Sequence, residues 1–339
     1  MKDNITDLLW VGGEGGMEVD LVKRQGIPFT TIPAAGVHGV GLRALPRNLV
    51  QLGRGVFASR RILRQFQPDA LFFTGGYVAV PMALAGRRIP TLLYVPDIEP
   101  GLAIKSVSRF ADQIAVTAEA AQKYFPSHAH TSVTGYPVRP DLASWDRKSG
   151  RRSLGLSEDL PVVLVFGGSK GARSINLTLL DNLPALLQIA QVLHISGELD
   201  WQKVETARKS LVSNHARRYH AFSYLHEEMG AALAGADLVI SRAGASTLGE
   251  FPLFGLPAVL VPYPYAWRYQ KVNADYLAQR GAAVIIEDSR LSEKLLPTVS
   301  TLLANPTKLG AMRTSMRSLA RPQAATDIAT QLVTLARKR

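Results

Sequence analysis

Short β-branched runs alternate with amphipathic stretches along this chain in two successive series, which restricts it to parallel sheets covered by crossover helices. The first series has runs at Leu8–Val11, Phe29–Ile32, Ala70–Phe73, Thr91–Val95, Gln113–Val116 and Ser132–Thr134. The second has Val162–Phe166, Val192–Ile195, Tyr219–Phe222, Leu238–Ser241, Ala258–Val261 and Val284–Ile286. Two doubly wound α/β domains are expected, and 339 residues with 47% hydrophobic content are enough for two cores. Between the series lies a polar stretch, Ser144 to Asp159, holding Asp146, Arg147, Lys148, Arg151 and Arg152, which predicts a linker. The expected division is a first domain over 1–143, a linker over 144–159, a second domain over 160–321, and a last helix over 322–339 able to pack back on the first domain.

Several classes of protein are disfavoured. The chain has no cysteine, hence no disulfide and no thiolate metal site. The apolar stretch Ala70–Val95 is broken by Gly75, Gly76, Arg87 and Arg88, so it lacks the roughly 20 uninterrupted apolar residues of a membrane span. Lys2, Asp3 and Asp7 at the front, without an apolar core, predict no signal peptide. The net charge of +12 suits anionic partners: nucleic acid, anionic lipid or anionic substrates. The basic residues form no recognised nucleic-acid motif and are not interleaved with aromatics, so no nucleic-acid partner is expected.

The opening of the chain reads as the second strand of such a sheet. Gly12–Gly16 resembles a phosphate loop but sits too early, with no strand-loop-helix unit before it. In the order 3-2-1-4 the first strand is central. Its absence predicts a gap between Leu8–Val11 and Ala70–Phe73, and a less stable, aggregation-prone chain whose second domain keeps its ligand site while turnover fails.

Chemistry concentrates in the second half, at the carboxyl ends of predicted strands, where such sheets bind ligands. Val162–Phe166 leads into Gly167-Gly168-Ser169-Lys170-Gly171-Ala172 and a helical run, which makes either a phosphate cradle or a tight turn without a ligand. The spacing is not that of a nucleoside-triphosphate P-loop. A second loop, Ser241–Thr247, opens a helix carrying Glu250, whose carboxylate can accept two hydrogen bonds from a ribose diol or complement the helix dipole. Gln270 and Asn273 share one helix face, where their amides can read sugar hydroxyls or face solvent.

In this order and spacing the three loops resemble the MurG family of UDP-N-acetylglucosamine transferases, which are GT-B glycosyltransferases. The matching segments are Gly167–Ala172, Arg242–Thr247 with Glu250, and Tyr269–Ala274. Met17–Val22, Gly75-Gly76-Tyr77-Val78 and Gly135-Tyr136-Pro137-Val138-Arg139 extend the resemblance over nearly the whole chain. It implies a GT-B fold, two Rossmann-like domains facing a cleft, and inverting transfer from UDP-N-acetylglucosamine to a polyprenyl-diphosphate-linked muramyl-peptide, lipid I to lipid II, without metal or cofactor. A related lipid acceptor, or a non-catalytic UDP-sugar or membrane-binding role, is the alternative.

The resemblance also implies a donor site of Arg139, Gly168, Ser169, Leu225, His226, Ala245, Ser246, Thr247, Glu250, Gln270 and Asn273, with the main chain near Leu225-His226 meeting uracil. Gly75, Gly76 and Tyr77 fall on the acceptor side. Lys170, Tyr269 and Tyr136 depart from the family pattern, as do Tyr94–Asp97 and Ile104 on the acceptor side. The family's N-terminal glycine-histidine loop, source of the base, has no counterpart, which leaves Asp97, Glu99 and His38 as candidates.

A helix predicted over Arg43–Phe66 places Leu45, Leu49, Leu52, Val56 and Leu63 on one side and Arg43, Arg47, Arg54 and Arg61 on the other. Val50 and Phe57 lie beside the arginines. Arg47, Val50, Arg54, Phe57 and Arg61 predict contact with an anionic bilayer at the cytoplasmic face of the membrane, or else a solvated basic face.

Overall fold

The computed structural model describes residues 5–15, 19–34, 45–168, 171–265 and 269–337, except the side chains of 20 and 45–47. His38, Arg43, Ser169, Lys170 and the side chain of Arg47 lie outside the described residues. The chain forms two compact units, residues 1–134 with 323–339, and residues 135–322.

The second unit is built on one parallel sheet of six strands: β7 (Val162–Phe166), β8 (Gln191–Ile195), β9 (Tyr219–Phe222), β10 (Leu238–Ser241), β11 (Ala258–Leu260) and β12 (Ala283–Ile285). Its order is β12-β11-β10-β7-β8-β9, with β7 in register against β8 on one side and β10 on the other. Strands covered on both faces by crossover helices read as continuous apolar runs, and β7, β8 and β10 are buried almost throughout. One face packs the helices Arg173–Ile189 and Leu291–Leu303, through Ile175, Leu179, Leu183, Leu295 and Val299.

Among the described residues the first unit holds two separate parallel ladders. β1 (Trp10–Gly13) pairs with β2 (Phe29–Ile32), and β3 (Leu71–Phe73), β4 (Thr91–Val95), β5 (Gln113–Val116) and β6 (Thr131–Val133) pair in chain order. β1 begins two residues later than expected. Trp10 is the first residue set opposite β2, with its N–H on the Pro28 carbonyl at 2.8 Å, while Leu8 is exposed. The C-terminal helix Ala324–Ala336 lies on one face of the larger ladder, Ile328 and Leu335 meeting Leu92, Tyr94 and Ala115. Ser132 Oγ donates to Gln331 Oε1 at 2.9 Å across that contact.

The helix Leu45–Phe66 closely matches its expected span. Gly55 lets it approach β2, because a Cβ there would stand 2.4 Å from the Pro33 carbonyl oxygen. The apolar side is less sharply defined than its angles suggest, since Leu49 is exposed.

The stretch 144–159, expected as a linker, folds into the second unit. Asp146 caps the helix Arg147–Ser153: the Ser149 N–H donates to its carboxylate at 2.8 Å, and the Asp146 N–H donates to Ser149 Oγ at 3.1 Å. Arg151 is fully buried, donating to the carbonyls of Gly235, Ser157 and Leu160 and to Asp237 Oδ2 at 2.7 Å. Asp237 also pairs with Arg147 and accepts the Val162 N–H at 2.8 Å, so the polar run is anchored at the foot of β7. Burial lowers the Arg151 pKa and the Asp237 carboxylate opposes that shift. A buried charge of this kind persists only when paired and fully hydrogen-bonded.

Candidate functional site

Four loops of the second unit leave the carboxyl ends of β7, β9, β10 and β11. The loop after β7 turns at Gly168 and Gly171, whose φ angles of 87° and 75° favour glycine, and closes with the Gly171 N–H on the Gly168 carbonyl at 2.9 Å. The helix Arg173–Ile189 starts directly behind it. Ala172, at the N-cap, has no side-chain acceptor, and the first turn carries no acidic residue. Such a start presents N–H groups and the positive end of the dipole to an anion.

A buried network holds this helix start. Asn176 Nδ2 donates to the Ser196 carbonyl at 2.8 Å and to Asp200 Oδ2 at 2.9 Å, while its Oδ1 lies 3.0 Å from His194 Nε2. His194 Nδ1 lies 2.8 Å from the Tyr219 hydroxyl. Burial drives the His194 pKa down to about 3, so the ring is neutral. With Asn176 Oδ1 as acceptor, the proton sits on Nε2, and Nδ1 accepts from Tyr219.

After β10, Gly244 leads through the turn Ala245–Leu248 to the short helix Glu250–Phe254. Burial raises the Glu250 pKa to about 7, opposed by the Arg139 guanidinium and a hydrogen bond from Ser246. Arg139 arrives because Tyr136 packs flush on Gly249, where a Cβ would stand 2.8 Å from the Tyr136 ring. The structure therefore brings together Arg139, Ser246 and Glu250, three of the residues that the resemblance implies for one site. Thr247 is placed differently: it is buried, with its hydroxyl donating to the Gly244 carbonyl at 2.7 Å. Asn273 is likewise fully buried and donates to the Ala243 carbonyl at 3.1 Å, holding the loop from beneath. Gln270 accepts the Tyr263 N–H on its Oε1 at 2.9 Å, which directs the amide nitrogen of that group outward from the bond. After β9, Leu225 is buried and His226 tilts against the half-exposed Tyr224 ring at 4.5 Å.

In the first unit, Gly75 and Gly76 turn with φ of 117° and 81°, and Tyr77 beside them is exposed. Asp97 is half-buried past the end of β4. Glu99 is only 2% exposed and pairs with Lys105 at 3.5 Å, so its carboxylate ties down the loop instead of facing an incoming hydroxyl. On the helix Leu45–Phe66, Val50, Arg54, Phe57 and Arg61 are exposed, Phe57 by 72%. Arg60 and Arg64 join Phe57 and Arg61 around a surface depression, and the Arg60 guanidinium lies 5.9 Å from the Phe57 ring centroid. Their spacing of three and seven residues from Phe57 could have found them.

Residues 2–116 match the glycosyltransferase family 28 N-terminal domain, and residues 162–332 match the glycosyltransferase family 28 C-terminal domain. The chain belongs to glycosyltransferase family 28. It is 41% identical to the UDP-N-acetylglucosamine--N-acetylmuramyl-(pentapeptide) pyrophosphoryl-undecaprenol N-acetylglucosamine transferase of Roseiflexus sp. (strain RS-1), over 98% of this chain and 84% of that protein. The enzyme of the same name from Bacillus subtilis (strain 168) is 34% identical over 95% of this chain and 88% of its own length. Among solved structures, Acinetobacter baumannii MurG aligns with a TM-score of 0.76 at 29% identity, covering 98% of this chain and 91% of that one. UDP-GlcNAc 2-epimerase from Neisseria meningitidis aligns at 0.66 with 12% identity, over 97% and 91%, a likeness of fold alone.

Proposed function

We infer that the protein transfers N-acetylglucosamine from UDP-N-acetylglucosamine to N-acetylmuramyl-(pentapeptide) pyrophosphoryl-undecaprenol, the step from lipid I to lipid II in peptidoglycan synthesis. The observation that carries this reading is a family likeness running through both units, so that it covers the acceptor half as well as the nucleotide-sugar half. In the second unit, Glu250 accepts the ribose hydroxyls, the main chain near Leu225 and His226 meets uracil, and the start of the helix Arg173–Ile189 receives the diphosphate. The amide nitrogen of Gln270 faces the sugar hydroxyls, because its oxygen is held by the Tyr263 N–H.

The acceptor hydroxyl attacks the anomeric carbon from the side opposite the diphosphate, the bond to UDP breaks, and configuration inverts. Charge collecting on the leaving diphosphate is stabilised by oriented N–H groups at the helix start. Of the base candidates among the described residues, Asp97 is half-buried, whereas Glu99 is buried and paired with Lys105, which favours Asp97. A positioned base contributes about 10²–10⁴-fold. Incubation of the protein with radiolabelled UDP-N-acetylglucosamine and the muramyl-pentapeptide lipid in detergent is expected to label the lipid, and Asp97→Asn to slow labelling about 100-fold or more. Absence of labelling with the wild-type protein would overturn the reading.

A second reading keeps the donor and changes the lipid acceptor. It is favoured by the departures from the family pattern at Tyr94–Asp97 and Ile104: in β4 the Tyr94 hydroxyl bonds Thr117 Oγ1 at 2.9 Å, and Ile104 is buried in the core of the first unit. Labelling of another polyprenyl-diphosphate sugar, and not of the muramyl lipid, would select it.

No helix among the described residues is long and apolar enough to cross a membrane. A peripheral contact with the cytoplasmic face of the membrane fits the exposed Val50 and Phe57 flanked by Arg54, Arg60, Arg61 and Arg64, each basic group adding about 1 kcal/mol near an anionic surface. Sedimentation with anionic vesicles is expected to be salt-sensitive and to be lost with Arg54→Glu plus Arg61→Glu.

A further inference from the structure

Arg242 stands at the centre of the donor loops, yet its guanidinium is committed to the protein. It donates to the Val261 carbonyl at 3.0 Å through Nη1 and to Ser174 Oγ at 2.8 Å through Nη2, and Nη1 also pairs with Asp288 Oδ1 at 2.5 Å. Ser174 Oγ donates in turn to Asp288 Oδ1 at 2.7 Å. The Tyr263 ring covers the group, with its centroid 5.2 Å from the guanidinium carbon, and the side chain is 10% exposed.

These partners come from different strand ends. Ser174 lies in the first turn of the helix after β7, Val261 and Tyr263 follow β11, and Asp288 follows β12. Arg242 itself follows β10, so one planar cation ties together the ends of four adjacent strands. Two of the tied pieces are those on which the donor assignment depends: the helix start facing the diphosphate, and the Tyr263 amide that orients Gln270. A fork with fixed donor directions suits that task, and an ammonium group does not reproduce it.

A cation near a diphosphate invites the simpler view that it neutralises the leaving group. The geometry argues otherwise, because Asp288 already balances the charge and the guanidinium is largely buried. We propose that Arg242, acting with Asp288 and Ser174, is a positioning residue that sets the diphosphate subsite by fixing the helix start against the Tyr263 segment that orients Gln270, and contributes geometry instead of charge. The proposal rests on the nucleotide-sugar reading of this site.

The two roles predict opposite signs for one substitution. If Arg242 acts by charge, Asp288→Asn removes a competing anion and tightens the diphosphate, and Arg242→Lys keeps much of the affinity. If it acts by position, both changes loosen the helix start. Affinities for uridine and for UDP-N-acetylglucosamine are measured by calorimetry on the wild-type full chain and on Ser174→Ala, Asp288→Asn and Arg242→Lys. Misplacing a binding group by about 1 Å costs up to about 100-fold, so Asp288→Asn and Arg242→Lys are expected to weaken UDP-N-acetylglucosamine by about 10-fold to 100-fold and uridine by less than about 2-fold. Ser174→Ala, which removes a single hydroxyl, is expected to fall in the same direction by about 5-fold with an unchanged melting temperature. Tighter binding in Asp288→Asn, retained affinity in Arg242→Lys, or equal losses for uridine and the nucleotide sugar would each overturn the proposal. A wild-type protein that binds neither ligand would instead remove the donor reading on which it stands.

Discussion

The two units wind parallel strands by the same plan, but among the described residues only the second joins all of its strands in one sheet. In the second unit β8 and β9 extend to one side of β7, and β10, β11 and β12 extend to the other. In the first unit β1 and β2 make one wing and β3 to β6 another, and among the described residues no ladder bonds join them. The consequence is visible in side-chain exposure. β8 and β10, which flank β7, are buried along their length, whereas Trp10 of β1 and Phe72 of β3 are 37% and 41% exposed. A central parallel strand thus does more than add its own apolar surface, because it also satisfies the edges and covers the faces of both neighbours.

Breaking the second unit at the foot of its central strand has the largest expected effect. Asp237→Ala leaves Arg151 buried without its carboxylate and frees the Val162 N–H, at a cost of about 3–5 kcal/mol in urea unfolding. Asp237→Leu combined with Arg151→Met should recover much of that loss, since a packed apolar pair replaces a buried charge pair. Recovery absent, or loss confined to the first unit, would contradict this account of the second unit's anchoring.

Amide exchange sharpens the contrast directly. Protection spans from near zero in weakly packed segments to the global value in cores, so amides of β1 and β2 are expected to exchange at least about 100-fold faster than those of β7 and β8. Equal protection would mean that the split in the first sheet carries no energetic weight.

Within the first unit one helix supplies a contrast of sign. Gly55→Ala places a methyl 2.4 Å from the Pro33 carbonyl oxygen and is expected to destabilise by about 1–3 kcal/mol. Gly53 has nothing within 4 Å of its added Cβ, so Gly53→Ala is expected to stabilise by about 1 kcal/mol. Thermal unfolding of the two variants distinguishes them.

A pH dependence of modest size is expected in the proposed donor site. With the Glu250 pKa raised to about 7 by burial, the carboxylate is mostly protonated at pH 6 and mostly ionised at pH 8. A ribose diol donates to the ionised form, so UDP-N-acetylglucosamine should bind about tenfold more tightly at pH 8 than at pH 6, roughly 1.4 kcal/mol. Glu250→Gln should flatten that dependence. For the free protein the sign is the reverse: the cost of burying this charge is absent below the unfolded value of 4.5 and fully present above about 7, so this group alone favours mild acid.

Most strands were legible because a buried parallel strand needs an unbroken apolar run, and Val162–Phe166 or Thr91–Val95 can hardly be read otherwise. The turns after β7 and β10 were legible from glycines and polar residues placed directly after such runs. The helix at Arg147–Ser153 was hidden because its charges resemble a solvated linker, and the residue that neutralises Arg151 lies 86 positions away. Distance in sequence likewise hid the link from Arg242 to Asp288, 46 positions apart, and the inward turn of Asn273, whose partner Ala243 is a backbone carbonyl with no sequence signature.

Amide exchange with and without saturating UDP-N-acetylglucosamine tests the central claim, a nucleotide-sugar site held by the continuous sheet of the second unit. Increased protection is expected at the start of the helix Arg173–Ile189, around Gly244–Glu250 and in the first turn of the helix Tyr269–Gln279, with β1 and β2 unchanged. Protection that leaves those three segments untouched, or that appears instead in the β1–β2 ladder, would contradict it.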